Sequence, residues 1–120
     1  MTLPNIIHYI FYVQTNVKLY HWMTKSYARH KASDEFTDKF AELTDKFVEV
    51  YIGRYGRSYL TKHNKNISLT TLDDKTFPKF LDDTAKQFMQ FAEEKDTDLV
   101  NIRDEIIELI NQTKYLCTLE

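Results

Sequence analysis

Apolar residues recur every three or four positions through most of the chain, and this spacing predicts four amphipathic helices. The first predicted helix covers residues 3–24 and has Pro4 in its first turn. The second covers residues 26–52 and has Ser26 as its capping residue. The positions predicted to form the core are Ile6, Ile7, Ile10, Phe11, Val13 and Val17 in the first helix, and Ala32, Phe36, Phe40, Leu43, Phe47 and Val50 in the second.

The second half of the chain contains two further helical patterns. Residues 76–95 predict a third helix with Thr76 as its cap, and residues 98–117 predict a fourth. No glycine or proline separates them, so we expect the turn within the sequence EEKDTD, with one long helix as the alternative. The positions predicted to be buried are Phe77, Phe80, Leu81, Thr84, Phe88 and Phe91 in the third helix, and Leu99, Ile102, Ile106, Leu109, Ile110 and Cys117 in or just after the fourth.

Residues 53–75 separate the two helix pairs and show no sustained period. A connection of this length is unusual between adjacent antiparallel helices, and it fits a link that runs from one end of a bundle to the other. The predicted fold is therefore all-α, a single domain over residues 1–120. We expect a four-helix up-down bundle with one long crossover between helices 2 and 3, which is the ferritin-like arrangement.

Composition agrees with a helical core and excludes several classes of protein. Two glycines and two prolines are too few for a β-sandwich or β-barrel, whereas eight Phe, eight Tyr and one Trp supply a large core. The single cysteine excludes an internal disulfide and suits a reducing compartment, so we expect a cytoplasmic location. No apolar run is long enough to cross a membrane, and the N-terminus lacks the pattern of a signal peptide.

The net charge of −2 conceals a strong polarity along the chain. Residues 1–33 contain four basic residues and no acid, whereas residues 34–49 contain six acids and two lysines. Residues 53–72 are basic again and contain no acid. The chain as a whole has no electrostatic attraction to nucleic acid or to anionic membranes, but its segments differ sharply.

One face of the second predicted helix combines a histidine with acids. Relative to His30, Asp34 falls at about 40°, Asp45 at about 60° and Glu49 at about 100° around the helix. Most charge runs are solvated faces, but apolar residues within this sector favour an interface; they are Ala41, Val48 and Ile52. Imidazole and carboxylate ligands without a thiol suit iron. Because no histidine follows residue 64, a di-iron site inside one bundle, which needs Glu-x-x-His on two helices, is excluded.

The order of these residues resembles a known family. The pair His21-Trp22, then His30-x3-Asp34, then Asp45-x3-Glu49 is similar to the pattern of Dps, the starvation-type mini-ferritins. The resemblance implies a di-iron ferroxidase centre between two subunits, which oxidises Fe(II) with peroxide or oxygen and protects against oxidative damage. It further implies that His21, His30 and Asp34 come from one chain, and that Asp45 and Glu49 come from its two-fold mate.

The resemblance covers residues 16–56, and the stretches LYHWMTKSYARHK and FVEVYIGRYG also resemble short Dps-like proteins of phages and large viruses. His21 and His30 are nine residues apart, where the family has twelve, so we expect a shorter turn and an altered position for His21. The lysine-rich tail with which the family binds DNA has no counterpart in this sequence, so DNA binding is expected to be weak at most.

Other interpretations of the same residues remain open. His21 continues the apolar stripe of its helix, as a hydrogen-bonded core histidine would. The acids could pair with Lys25, Arg29 and Lys31 of a neighbouring copy in a viral or phage oligomer that assembles through helices 1 and 2 without chemistry. A DNA-associated protein that uses the basic segment 53–65, with its His63, is a weaker alternative.

Overall fold

Four helices make up the folded chain: α1 Leu3–Met23, α2 Tyr27–Tyr55, α3 Phe77–Met89 and α4 Thr97–Leu116. They are seen in a computed structural model that describes residues 2–57 and 65–120. Because that part of the chain contains no strand, the predicted all-α class is confirmed, and the four helices are compatible with a four-helix bundle. None of the helices described is both long and apolar enough to span a membrane.

The core forms where the predicted apolar stripes meet. α2 packs against both α1 and α4, and α3 packs against α4. Phe88 lies near the centre, with its ring edge-on to Phe40 at 5.8 Å and to Phe47 at 6.3 Å between centroids. All three side chains are fully buried, and each contributes about 1.5–3 kcal/mol of transfer free energy to folding.

Four positions assigned to the core stripes are less buried than predicted. Phe11 is 50% exposed, because no helix among the described residues covers that side of α1. Ile7, Leu43 and Val50 are half-buried, and the last two flank the core. The buried positions of α2 include two polar residues instead, Ser33 and Thr44, and the hydroxyl of Thr44 donates to the carbonyl oxygen of Phe40 at 2.7 Å.

α2 starts where the sequence predicts, but it ends further along the chain than predicted. α2 begins as predicted, with the hydroxyl of Ser26 accepting the backbone N–H of Arg29. It continues through Gly53 and ends at Gly56, whose φ of 84° is a conformation that other residues avoid.

Thr76 occupies the N-cap position of α3 as predicted, but the side-chain bonds at the start of this helix come from Asp73, three residues earlier. The Asp73 carboxylate accepts the backbone N–H groups of Lys75 and Thr76, at 2.9 and 2.8 Å. The bonds to Thr76 hold the pKa of Asp73 below its usual value. Thr76 makes no capping bond of its own to the helix.

The turn between α3 and α4 exists, but it lies earlier than predicted. α3 ends at Met89 instead of residue 95, because Phe91 leaves the helix to pack edge-on against Tyr9 of α1, 5.7 Å between ring centroids. The turn closes at Asp96, whose buried carboxylate accepts Arg54 at 3.2 Å and the hydroxyl of Tyr55. The separation of α3 from α4 is therefore caused by these tertiary contacts, since no glycine or proline lies between the two helices.

The described part of the crossover, from residue 65 onwards, lies along α1. Later residues of this segment bond to later residues of α1 and of its C-cap, Thr24. The pairs are Asn66 with His8, Ser68 and Thr70 with Asn16, and Asp74 with Tyr20 and Thr24. The segment thus runs beside α1 in the same direction, along most of its length. Asn16 is fully buried. Its side-chain nitrogen donates to the carbonyl oxygen of Ser68, and its side-chain oxygen accepts the backbone N–H of Thr70, so the amide pairs with the segment as the backbone of a neighbouring strand would.

We predict that Asn16→Ala will destabilise the protein by about 1–3 kcal/mol, because it removes the fully buried amide that binds the N–H of Thr70 and the carbonyl of Ser68. Chemical unfolding measures the loss, and limited proteolysis should cut within residues 65–72 first. Asn101→Ala, at an exposed position of α4, is the matched control and should change stability little. Equal stability of the two variants would contradict the role of Asn16.

Candidate metal centre

His21 and His30 join the end of α1 to the start of α2 by an exchange of hydrogen bonds. Nδ1 of His21 lies 2.8 Å from the carbonyl oxygen of His30, and Nδ1 of His30 lies 2.9 Å from the carbonyl oxygen of His21. The two rings stack with their centroids 3.9 Å apart. The short turn expected from the nine-residue spacing therefore brings these two histidines together.

The exchange fixes which nitrogen of each ring can bind a metal. A carbonyl oxygen only accepts hydrogen bonds, so the Nδ1 atom of both His21 and His30 must carry the hydrogen. The lone pair of each neutral ring is then on Nε2. Metal-binding histidines are commonly oriented in this way, by donation from the second ring nitrogen to a carbonyl oxygen.

Asp34 stands next to this pair, one turn further along α2. Its carboxylate oxygen Oδ1 is 4.0 Å from Nε2 of His21, and its side chain is 53% exposed. Two ligands of one tetrahedral ion, with bonds of about 2 Å each, stand about 3.3 Å apart, so the exposed Asp34 carboxylate would have to move closer to share an ion with His21. The structure thus brings together three of the five residues named as ligands in the sequence analysis.

Ser33 is a residue of this site that sequence reasoning missed. It is fully buried, its hydroxyl lies 3.2 Å from Nδ1 of His21, and it donates to the carbonyl oxygen of Arg29 at 2.8 Å. Ser33 therefore helps to hold the ring of His21. The only signal in the sequence is a serine among the apolar positions of an amphipathic helix, next to Ala32.

Asp45 and Glu49 lie elsewhere on α2. Both are exposed. Fifteen positions separate His30 from Asp45, so these two residues are about 22 Å apart along the helix. One chain therefore cannot bring all five predicted ligands to one ion. Among the residues described, no group of three or more His, Cys, Asp and Glu is arranged to hold a metal.

An apolar groove lies between α1 and α2, beside Asp45. It has a volume of about 230 Å³, and its walls include Ile7, Phe11, Ala41 and Val48. Ala41 is exposed, and Val48 and Ile52 are half-buried. The apolar residues predicted among the acids are thus accessible on the surface of the single chain.

Part of the predicted basic segment cannot be compared with the structure. Residues 58–64, which include His63, lie outside the described residues. Arg54 is described, and its guanidinium contacts Asp96 at 3.2 Å and Asp98 at 2.7 Å. The hydrogen bond from Arg54 holds the pKa of Asp98 below its usual value.

Residues 21–117 match the family of unknown function DUF5856, and the chain belongs to that family. It is similar to an uncharacterized 14.6 kDa protein from the mobD-ri intergenic region of Enterobacteria phage T4. The two are 36% identical over 100 residues, which are 83% of this chain and 75% of the phage protein. No solved structure matches the chain.

The hydrogen-bond exchange predicts the tautomers of the histidines. In metal-free protein, the neutral rings of His21 and His30 should carry their hydrogen on Nδ1, whereas His8, whose Nε2 contacts the carbonyl of Asn66 at 2.9 Å, should carry it on Nε2. Nitrogen-15 NMR of the imidazole rings at a pH where they are neutral distinguishes the two forms. A hydrogen on Nε2 in His21 and His30 would contradict the proposed orientation.

Proposed function

We propose that this protein is a ferritin-like, Dps-like iron protein that oxidises Fe(II) at a di-iron centre formed between two subunits. The observation that supports the proposal is the fixed orientation of His21 and His30, which leaves the lone pair of both Nε2 atoms without a backbone partner and places Nε2 of His21 near the Asp34 carboxylate. The donor set, two imidazoles and carboxylates, fits Fe(II) better than it fits Mg²⁺ or Ca²⁺, which prefer oxygen ligands alone.

A second copy of the chain is required to complete this centre. Asp45 and Glu49 are one turn apart on the same side of α2, so their carboxylates can reach the same metal cluster. Because they are about 22 and 28 Å from His30 along the helix of their own chain, they would act on the His21, His30 and Asp34 group of the mate. A two-fold dimer through α1 and α2 then contains two equal centres.

The chemistry proposed is the removal of peroxide or oxygen together with free Fe(II). Two Fe(II) ions supply the two electrons that reduce one hydrogen peroxide molecule, with two protons, to two water molecules. The chain would supply the ligands: His21, His30 and Asp34 of one copy would hold the iron, and Asp45 and Glu49 of the other copy would complete its binding. The similarity to a phage protein favours a role in the cytoplasm of an infected host cell or in the virion.

A second candidate function keeps the assembly and omits the chemistry. It is favoured by the exposed Lys25 and Lys31, which lie at the end of the chain's α1–α2 layer opposite to Asp45 and Glu49. In an antiparallel dimer these lysines would meet the acids of the neighbour. The protein would then be a structural or interaction component of a virus. DNA binding through the basic segment 53–65 is the least supported proposal, since the net charge of the chain is −2.

Replacement of Asp45 by Asn and Glu49 by Gln separates these functions. On the iron proposal, the double variant should assemble at least as well as the parent in metal-free buffer, because two like charges are removed from one helix face. Its Fe(II) oxidation should fall nearly to the rate in buffer. Light scattering measures assembly, and the rise in ultraviolet absorbance measures Fe(III) formation. The matched control is Glu105→Gln with Glu108→Gln, an exposed pair of acids one turn apart on α4.

The outcomes for the two functions differ in both measurements. Intact assembly with lost oxidation in the variant, and normal oxidation in the control, supports the ferroxidase. Dissociation of the variant, together with a parent that oxidises iron no faster than buffer, supports the assembly function and rejects the iron centre.

A further inference from the structure

The crossover meets the turn between α1 and α2 through one carboxylate, that of Asp74. Its oxygen Oδ1 accepts the hydroxyl of Tyr20 and the hydroxyl of Thr24, each at 2.7 Å. Its oxygen Oδ2 lies 4.0 Å from a guanidinium nitrogen of Arg29. The hydrogen bond from Tyr20 holds the pKa of this carboxyl below its usual value, so the group is charged at neutral pH. A single acid of the crossover therefore lies against both helix ends that carry the histidine pair.

On the α1 side, the partners of Asp74 stand on either side of His21. Tyr20 directly precedes His21, and its ring is fixed because it is 1% exposed and stacks on Phe77 with 4.0 Å between the centroids. Thr24 ends α1, and its backbone N–H bonds to the carbonyl oxygen of Tyr20. Phe77 is the first residue of α3 and follows closely after Asp74. The carboxylate thus links the last turn of α1 to the start of α3.

On the α2 side, the contact with Arg29 is incomplete. The 4.0 Å between Oδ2 of Asp74 and the guanidinium nitrogen is longer than a hydrogen bond. The Nε atom of Arg29 is buried and has no hydrogen-bond partner in the described part of the chain. Because a buried N–H group without a partner costs free energy, a small shift of the start of α2 that pairs Arg29 with Asp74 would be favourable.

The same part of α2 carries groups of the candidate metal centre. The carbonyl oxygen of Arg29 accepts the hydroxyl of Ser33, which lies 3.2 Å from Nδ1 of His21. The Asp34 carboxylate is 4.0 Å from Nε2 of His21 and has to come closer if the two are to share one ion. Arg29, Ser33 and Asp34 all lie in the first two turns of α2. Closer approach of this helix start to the end of α1 can therefore serve the metal ligands and the contact with the crossover together.

We propose that Asp74 is a positioning residue of the candidate metal centre, and that metal binding and the bonds of residues 65–74 to α1 strengthen each other. This coupling rests on the proposed function only in that His21, His30 and Asp34 must bind a divalent transition metal; it needs neither a second copy nor iron oxidation. Coupling between two events is reciprocal, so the bound crossover raises metal affinity by the same factor by which the metal favours the bound crossover. The metal then acts on a segment that supplies no ligand to it.

The test is a titration of the metal-free parent, Asp74→Ala and Asp74→Asn with Co(II) alone, followed by visible absorption. Asp74→Ala removes every contact of this carboxylate with the turn, so the dissociation constant for Co(II) should rise about tenfold. Asp74→Asn keeps an oxygen that can accept Tyr20 or Thr24 but loses the charge that faces Arg29. Its dissociation constant should therefore rise less, by about threefold.

Asp73→Asn is the matched control. It changes the neighbouring carboxylate, which accepts the backbone N–H groups of Lys75 and Thr76 at the start of α3 and has no hydrogen bond to the α1–α2 turn among the described residues. It should lower the unfolding temperature without a change in the dissociation constant for Co(II). A loss of affinity that merely followed a loss of stability would appear in this control as well.

A second readout needs no metal. Nitrogen-15 NMR of the imidazole rings reports whether His21 and His30 keep their hydrogen on Nδ1. The population of this tautomer should fall in Asp74→Ala, because the two helix ends lose the group that holds them together. It should stay unchanged in Asp73→Asn.

The reciprocal effect is measured on the parent, so it remains available where a variant folds poorly. Saturation with Co(II) should slow proteolytic cleavage within residues 65–72 by about tenfold, because cleavage follows the population of the open segment. Cleavage at an equal rate with and without Co(II), or equal Co(II) affinity of the parent and Asp74→Ala, overturns the proposal. A parent that binds no Co(II) overturns it together with the metal centre.

Iron oxidation by the parent separates this inference from the proposed function. Coupled binding of Co(II) by a protein that oxidises no Fe(II) leaves the role of Asp74 standing and rejects the ferroxidase. Fe(II) oxidation by a parent whose Co(II) affinity is unchanged in Asp74→Ala supports the iron centre and overturns the role of Asp74.

Discussion

The exchange of hydrogen bonds between His21 and His30 fixes the relation between α1 and α2, on which the rest of the molecule depends. Each imidazole binds the backbone of the other helix end, so the three-residue turn between Met23 and Tyr27 has one geometry. That geometry sets which residues of α1 and α2 are level with one another. It thereby determines the position of Asp34 beside His21, the apolar groove, and the exposure of Phe11 on the face between the helices.

Buried polar groups hold the parts of the chain that helical propensity leaves undefined. Asn16 binds the crossover, and Asp96 joins the α3–α4 turn to the end of α2. In the same way Arg103, which is nearly fully buried, reaches Glu94 in that turn at 3.3 Å and Asp104 at 3.1 Å. Tyr55 donates its hydroxyl hydrogen to the Asp96 carboxylate, and this bond raises the pKa of the hydroxyl to about 12, so this group remains a donor throughout the physiological range. Each of these contacts would be costly to leave unmade, since each involves a group removed from water.

The sequence predicts those parts of the fold in which local and tertiary preferences agree. The period of apolar residues located all four helices and nearly all the core, because burial of one face is what forms such helices. It failed for Phe11, since an apolar residue at the edge of a stripe can face either its own core or another molecule. It also misplaced the end of α3, because the contacts of Phe91 and Asp96 that end the helix come from residues distant in sequence. For the site, spacing identified candidate ligands, but neither the ring orientation nor Ser33 can be derived from spacing.

Iron binding and assembly make opposite electrostatic demands on the same face. On the proposed function, one centre contains three carboxylates, from Asp34, Asp45 and Glu49, so its formal charge is about −3 when empty and about +1 with two Fe(II) ions. Lysines that approach the empty centre would stabilise the dimer but would compete with iron for the same carboxylates. On the proposed function, Lys25 and Lys31 would therefore act from the rim, where water screens them, and the affinity between subunits would come from contacts that carry no charge. Phe11 and Trp22 are exposed, uncharged side chains of the kind that such contacts would need.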